Sequence, residues 1–509
     1  MPQPSPDPER IPVVIASGQA LERDELVTPV GLLARAAEVA LKQVPLLRDR
    51  VDRVSVVDVM TRSGPAPATE LAEHLGLGAA TVRETTTVGG NSPQWLVSRA
   101  ASLIAEGSCA VTLIAGAEAQ RSARSHKSRG IPRDGGRTDL ASDVRVGDDL
   151  PGWGAAEQAI SLYAPLHIYT LFESVLAARA GHDTPTHRRA LGELMAPFTE
   201  VAATHPFAWF PEARTAEQIG TPSPDNRIVC EPYTKRMTAF PGTDQSASLV
   251  VCSLAEARRA GVADRAVFIW SGAEATDVRA VSSRPDLGRS PAIAAAGSAV
   301  FAAASSAVGS RVGIDDVACM DLYSCFPSAV QFAADALGIA HDDRRGLTVT
   351  GGLPYFGGPG NDYSTHAIAT LTDRLRNSPD ASLGLVTSVG WYVTKNALGI
   401  YGSTPPPAGF RRGDTTAAQA AIDASAVEVA TTVAAAETAT VVAATVWRDN
   451  HGTAAGAPVI ARLADGRQMA LAPADDEVVA AMGDLDVPGL VGGAVVVQAG
   501  EPRYRLAER

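Results

Sequence analysis

Lysine is nearly absent from this chain: it supplies four of the 44 basic residues, and arginine supplies the rest. Acidic residues number 56, which leaves a net charge of −12. That balance lacks the basic footprint of a nucleic-acid binder. Cysteine is scarce too. The five present, Cys109, Cys230, Cys252, Cys319 and Cys325, are odd in number and form no CxxC pair. This spacing argues against a zinc site and a disulfide framework, and leaves free thiols in a cytoplasmic chain as the expectation. No run of 18 apolar residues occurs, so no membrane span is expected. The opening MPQPSPDPER has alternating prolines and no apolar stretch, which reads as a short flexible tail and not as a signal peptide.

What is present is an ordinary globular balance, 46% apolar and 20% charged, spread over 509 residues. That length is too great for one core and implies two to four domains. The first 118 residues alternate strand and helix. Strands are predicted at Ile11–Ser17, Val54–Met60, Val82–Val88 and Ala110–Ala115. Between them come a helix opened by Thr28-Pro29, a helix at Thr69–Leu75 and a helix opened by Ser92-Pro93. Alternation of this kind predicts a mostly parallel sheet covered on both faces.

Residues 119–235 break the pattern with an arginine-rich stretch and helices near 155–180 and 186–203, and read as an insertion. The strand Ser246–Cys252 and the helix Leu254–Ala260 return to the first half, which therefore comprises 1–118 and 236–264. A second α/β half spans 265–405. Its strands are near Ala266–Trp270, Val317–Leu322 and Leu383–Val389, and its helices near 291–308, 327–337 and 364–376. The run Ser403-Thr404-Pro405-Pro406-Pro407 predicts a stiff linker. Residues 406–509 comprise this linker and a small β domain, for which an OB-like barrel is the candidate shape. Its strands are predicted at Thr440–Trp447, Pro458–Leu463, Gln468–Leu471, Ala494–Gln498 and Tyr504–Leu506, with a hairpin turn at Asp465-Gly466.

Five segments, in order over about 300 residues, carry a family likeness. Thr86–Pro93 (TTVGGNSP) leads into a helix ending at Glu106-Gly107, and a strand follows that ends in Ala115-Gly116-Ala117-Glu118. Thr243–Val251 reads TDQSASLVV, and Asp321–Phe326 reads DLYSCF. Gly351-Gly352-Leu353 precedes Gly357-Gly358-Pro359, and Ser388-Val389-Gly390 comes last. Together these resemble the thiolase superfamily: its nucleophile turn, its "DGAAALVL" strand, its "NEAF" or "HDCF" segment, its "GGL…GHP" loops and its "CxG" turn. The chain looks like the actinobacterial thiolase-like proteins often labelled acetyl-CoA acetyltransferase. The resemblance implies a thiolase fold of two α/β halves in αβαβα layers with an inserted loop domain. It also implies coenzyme A or acyl-CoA as ligand or substrate, with no permanently bound cofactor and no metal. Homodimerisation through the core is a family expectation.

The family's chemistry uses a cysteine at a helix N-terminus, whose dipole favours the thiolate that attacks an acyl thioester. A histidine activates it and a second cysteine moves the partner substrate's proton. Aligned to this chain, the nucleophile falls at Gly90 (or at Gly89 one register away), the histidine at Gly358 and the second cysteine at Ser388. The first residue of the NEAF/HDCF motif falls at Tyr323. Loss of a nucleophile can cost on the order of 10⁶-fold in rate, so ordinary thiolytic or Claisen chemistry is not expected.

Other residues invite two readings each. Ser92 is a stand-in nucleophile or, more simply, the cap of its helix. Cys325, which matches the cysteine of "HDCF", is a pocket thiol or apolar filler. His366 is a pocket base or a structural histidine. Gly352 and Gly357 line a pantetheine channel, as their counterparts do in the family, or are plain turns. The insertion and its exit carry Arg121, Arg124, Lys127, Arg129, Lys235 and Arg236, which suit phosphates or form a solvated face. Tyr233-Thr234-Lys235-Arg236 stands out because it adds an aromatic to two cations. Three functions follow: a non-catalytic acyl-CoA or CoA binder, an acyltransferase or lyase using altered residues, or an interaction subunit whose C-terminal β domain binds a protein partner.

Overall fold

The computed structural model describes residues 7–62, 64–78, 81–130, 137–378 and 380–507. Its centre is a sheet of eleven strands built from both halves. On the first half's side, Pro12–Leu21, Asp244–Ser253, Val111–Ala119, Arg53–Val56, Val82–Thr86 and Val144–Val146 follow one another. On the other side, Val267–Thr276, Lys395–Gly402, Leu383–Gly390 and Val317–Asp321 continue the order. The halves join through only two residue pairs, Val13 with Phe268 and Val14 with Val267.

The sheet is mixed, which corrects the expectation of a mostly parallel one. Asp244–Ser253 enters antiparallel between Pro12–Leu21 and Val111–Ala119, because the chain returns from the insertion at the far end. Leu383–Gly390 and Lys395–Gly402 are joined by a four-residue turn, and so short a connection forces antiparallel pairing. Parallel pairing survives where helices intervene, as between Arg53–Val56 and Val82–Thr86.

Two helices, Ser92–Glu106 and Tyr363–Arg376, are buried between the halves and pack on strands of both. Pro29–Lys42 covers the first half from outside, with Thr28 Oγ1 accepting from the Gly31 amide as its cap. Pro291–Val308 covers the second half. It is the one helix among the described residues long and apolar enough, by length and composition, to cross a membrane. Here its apolar face lies on the strands Val267–Thr276 and Lys395–Gly402.

The segment after 405 behaves differently from a free linker. Arg411–Arg412 adds to the core sheet beside Ser271 and Gly272, and the helix Thr416–Ala424 packs on the same strand. The prolines are thus a short crossover within the second half. Beyond them, Glu437–Ala444, Val459–Arg462, Gln468–Pro473, Arg503–Leu506 and Ala494–Val497 close into a five-stranded barrel in that order. Gly466, at φ 91°, makes the hairpin turn between the second and third strands. The third and fifth strands in chain order pair in parallel, and the helix Asp476–Gly483 sits between the third and fourth.

The barrel is docked on the inserted helices. Trp447 stacks on His167 with ring centroids 4.1 Å apart. Trp447–Arg448 also pairs with Ile228–Cys230 in a small second sheet. Glu231, at the centre of this contact, receives Arg188 at 2.6 Å and Arg448 at 3.0 Å. All three side chains are at most 20% exposed, so removing the carboxylate strands two cations. Glu231→Ala should therefore lower stability by about 2 kcal/mol in urea unfolding, discounted from a fully buried pair for the partial exposure of the arginines. A loss below about 0.5 kcal/mol would mean that apolar packing alone holds the barrel.

Candidate functional site

The turn Thr87–Asn91 delivers the helix Ser92–Glu106 to the interface between the halves. Asn361 fixes that turn from the opposite half: its side-chain oxygen accepts from the Gly89 amide at 3.0 Å, and its amide donates to the Asp58 carbonyl at 2.9 Å. Gly90 follows, and no side chain fits there. A Cβ at Gly90 would stand 2.4 Å from the Tyr323 hydroxyl and 2.6 Å from the Val389 carbonyl. The site where the resemblance puts a nucleophile is closed by the ring of Tyr323, itself 6% exposed.

Ser92 does not cap the helix, contrary to its sequence reading. Asn91 occupies the cap position without a side-chain bond, and Ser92 lies in the first turn. Its buried hydroxyl donates to the Thr87 carbonyl at 3.2 Å. The Pro93 signal therefore marks the helix one residue late. Ser388 is buried on its strand with no hydrogen-bond partner for its hydroxyl. Gly358 donates its amide to the Phe240 carbonyl at 2.9 Å and faces Ala239 and Leu353.

Cys325 is buried beside the Tyr169 hydroxyl. Burial pushes its thiol up to about 12, and the Tyr169 hydroxyl offsets only part of that rise. It is a neutral thiol, and among the described residues no cation acts on it. His366 is fully buried on the central helix, 2.8 Å from the Gln19 side-chain oxygen. Burial pushes its imidazole down to about 3, so it is neutral. Its Nε2 has no hydrogen-bond partner and stands 3.8 Å from Asp362.

Asp362 and Glu118 form a buried acidic pair that the motif reading quoted only in part. Asp362 presses on Gly116, where a Cβ would clash at 1.9 Å, and accepts from Thr365 Oγ1 at 2.5 Å. Burial first, and the Glu118 charge beside it, hold its carboxyl well above the usual range. Glu118 accepts from the Met60 amide at 2.7 Å and the Thr61 amide at 3.2 Å. Burial outweighs those amides and raises its carboxyl to about 7. A sequence signal for this pair existed only for Glu118, in Ala115-Gly116-Ala117-Glu118.

Lys235 and Arg236 line an open pocket of about 420 Å³, joined by Arg124 and Arg214. Phe210, Phe240 and Tyr355 supply aromatic walls, with Phe210 edge-on to Phe240 at 4.9 Å. The Tyr355 hydroxyl is buried and unpartnered. Asp225 is the acidic member of the lining. Tyr233 is absent from it, which corrects the sequence reading. Its side chain is fully buried, with its hydroxyl 2.5 Å from Glu173 and 2.9 Å from Ser328. Lys127 projects from the helix Gln120–Arg129 outside the lining.

Gly352 and Gly357 also lie off the pocket wall. A Cβ at Gly352 would meet Ser324 at 2.6 Å, and one at Gly357 would meet Gln245 at 2.4 Å. Their positive φ values, 79° and 113°, fold the loop against the protein's own side chains. Between them, Pro354 and Tyr355 reach the pocket instead. The Pro-Tyr-Phe run between two glycine pairs was the available signal.

Two outcomes follow from these protonation states. In the folded protein at pH 8, Cys325 is overwhelmingly the protonated thiol. Iodoacetamide should therefore label Cys319, the partly exposed cysteine, well before Cys325. Peptide mapping that found Cys325 labelled first would refute the neutral-thiol assignment. Glu118, raised from 4.5 to about 7, binds more protons folded than unfolded between those values. Its contribution is thus fully present below about pH 4.5 and lost as pH rises through about 7. Glu118→Gln removes that loss, so the variant's stability relative to the natural chain should climb from pH 5 to pH 8. A difference independent of pH would overturn this.

No family model matches the chain, and no curated protein sequence matches it. Among solved structures, the monomeric SCP2-thiolase-like protein type 1 from Mycobacterium smegmatis is 29% identical, with a TM-score of 0.82. The match covers 98% of this chain and 99% of that one. The Ltp2-ChsH2(DUF35) aldolase is 18% identical with a TM-score of 0.60, covering 78% of this chain and 98% of that chain, a likeness of fold alone. With its motif order, its paired halves and its end-to-end superposition on a thiolase-like protein, the chain is a member of the thiolase superfamily.

Proposed function

We propose that this protein binds coenzyme A or acyl-CoA in the cationic pocket and does not carry out ordinary thiolase catalysis. The observation that carries this reading is a pairing of features. A pocket with four basic side chains and aromatic walls includes Ala239, whose amide donates to the Cys325 carbonyl, and the position where the resemblance puts a nucleophile is closed by Tyr323. Arginine forks and lysine suit phosphates, and the aromatic faces suit an adenine or a pantetheine arm. Arg124 and Lys235 stand in the lining beside Arg236, whose guanidinium donates one N–H to the Gln218 carbonyl at 2.8 Å and keeps its others for a ligand.

Acyl transfer or lyase chemistry through altered residues is the alternative. It would have to recruit the neutral thiol of Cys325 or the buried, neutral His366, and both environments disfavour it. If active at all, the protein would be an acyltransferase of the thiolase type.

A third reading gives the C-terminal barrel a protein partner. Its strand order, with a parallel third–fifth pair and a helix before the fourth strand, supports an OB-like barrel. The Ltp2-ChsH2(DUF35) aldolase joins two named components, and this supports a protein partner for the present chain. We also infer a monomer, like the Mycobacterium smegmatis protein. The short strand Val144–Val146 covers the edge of Val82–Thr86 that would otherwise be free for pairing.

Calorimetric titration with coenzyme A and acetyl-CoA, beside a thioester-cleavage assay on the same sample, tests the main reading. Binding in the micromolar range without turnover is expected, and Lys235→Ala/Arg236→Ala should weaken it at least about tenfold. Turnover by the natural chain would sink the non-catalytic reading. Undiminished binding by the double variant would move the site elsewhere.

A further inference from the structure

The floor of the cationic pocket is close to the vacated catalytic positions. Ala239 and Phe240 line the pocket. Ala239 donates its amide to the Cys325 carbonyl at 2.9 Å, and Phe240 accepts from Gly358. Tyr323, two residues before Cys325, closes the Gly90 position toward which the resemblance directs an acyl group. Its amide donates to Thr387 Oγ1 at 2.8 Å, and its ring meets Tyr363 edge-on at 5.5 Å. Tyr363 is itself anchored, with its hydroxyl 2.9 Å from Asp321 and 2.6 Å from Thr350. Asp321 is fully buried and also accepts from Thr348 Oγ1 and the Val349 amide, each at 2.9 Å. The ring of Tyr323 is therefore backed by a buried polar network and is not a loose side chain that a ligand can push aside.

We infer that Tyr323 is a specificity plug. The protein recognises the phosphorylated, thiol-bearing carrier and excludes the acyl chain from the interior, so affinity is blind to chain length. This rests on the reading above that coenzyme A occupies the cationic pocket. Chain-length selectivity in a binding pocket comes from methylene groups buried beyond the thioester. Here the space that would bury them is filled by a tyrosine whose hydroxyl stands 2.4 Å from where a Cβ on Gly90 would lie. Shortening that one side chain opens a chamber walled by Gly90, Val389 and Tyr363.

The test is calorimetric titration of the natural chain, Tyr323→Phe and Tyr323→Ala with coenzyme A, acetyl-CoA and hexanoyl-CoA. In the natural chain and in Tyr323→Phe, which keeps the ring, the three ligands should bind within about threefold of one another or weaken with length. In Tyr323→Ala, hexanoyl-CoA should bind about tenfold tighter than coenzyme A, the gain expected from burying a few methylenes. Affinity that rises about tenfold with chain length in the natural protein overturns the plug while leaving the coenzyme A site intact. So does a flat series in a folded Tyr323→Ala. Coenzyme A failing to bind the natural chain overturns the site itself. If Tyr323→Ala does not fold, the series on the natural chain and Tyr323→Phe still decides the matter.

Discussion

The two halves of this molecule meet over a backbone with no side chain. Gly89 and Gly390 approach each other so closely that a Cβ on Gly390 would stand 3.2 Å from the Gly89 Cα and 2.3 Å from the Asn91 side-chain oxygen. Gly90 beside them receives the Tyr323 hydroxyl. That contact lets the helix Ser92–Glu106 lie between the halves, and Asn361 locks it with one hydrogen bond to each neighbouring loop. A cysteine at Gly90 would collide with Tyr323 and Val389. The lack of a side chain at Gly90 and the close packing are therefore the same structural fact.

Burial of ionisable groups runs through the same interface. Asp321, Asp362, Glu118 and His366 sit within the layers that flank the central helices, and all are fully or nearly fully buried. Isolated charges there would be costly. The molecule meets this with dense hydrogen bonding at Asp321, with a neutral His366 and with an Asp362 carboxyl held well above its usual range. Such groups specify one arrangement of the loops around Gly358 and Gly90. By contrast, the cationic groups of the pocket are on the outside, where solvent or a ligand can reach them.

Local signals were readable where the chemistry is local. Thr28-Pro29 started its helix as proposed, Asp465-Gly466 turned its hairpin, and the five C-terminal strands lie within a few residues of their predicted bounds. Long-range placement was not readable. The proline run looked like a linker, yet the following Arg411–Arg412 completes the core sheet, because pairing with Val267–Thr276 depends on a strand 140 residues earlier. Tyr233 and Lys235 are two residues apart, yet one is buried against Glu173 and the other faces the pocket. The distinction comes from a buried glutamate in a distant helix.

The sequence by itself determined that Gly90, Gly358 and Ser388, where the resemblance puts catalytic groups, bear no thiol or imidazole whatever the fold does with them. It also determined the order of the motifs, and through that order the superfamily. Only the tertiary structure decided what stands in the vacated space, which cations gather at one pocket and which thiols and imidazoles are neutral. Those properties arise from desolvation and from contacts between segments far apart in the chain. Tyr323, Asn361 and Arg214 acquire their roles only when the two halves and the insertion close on one another.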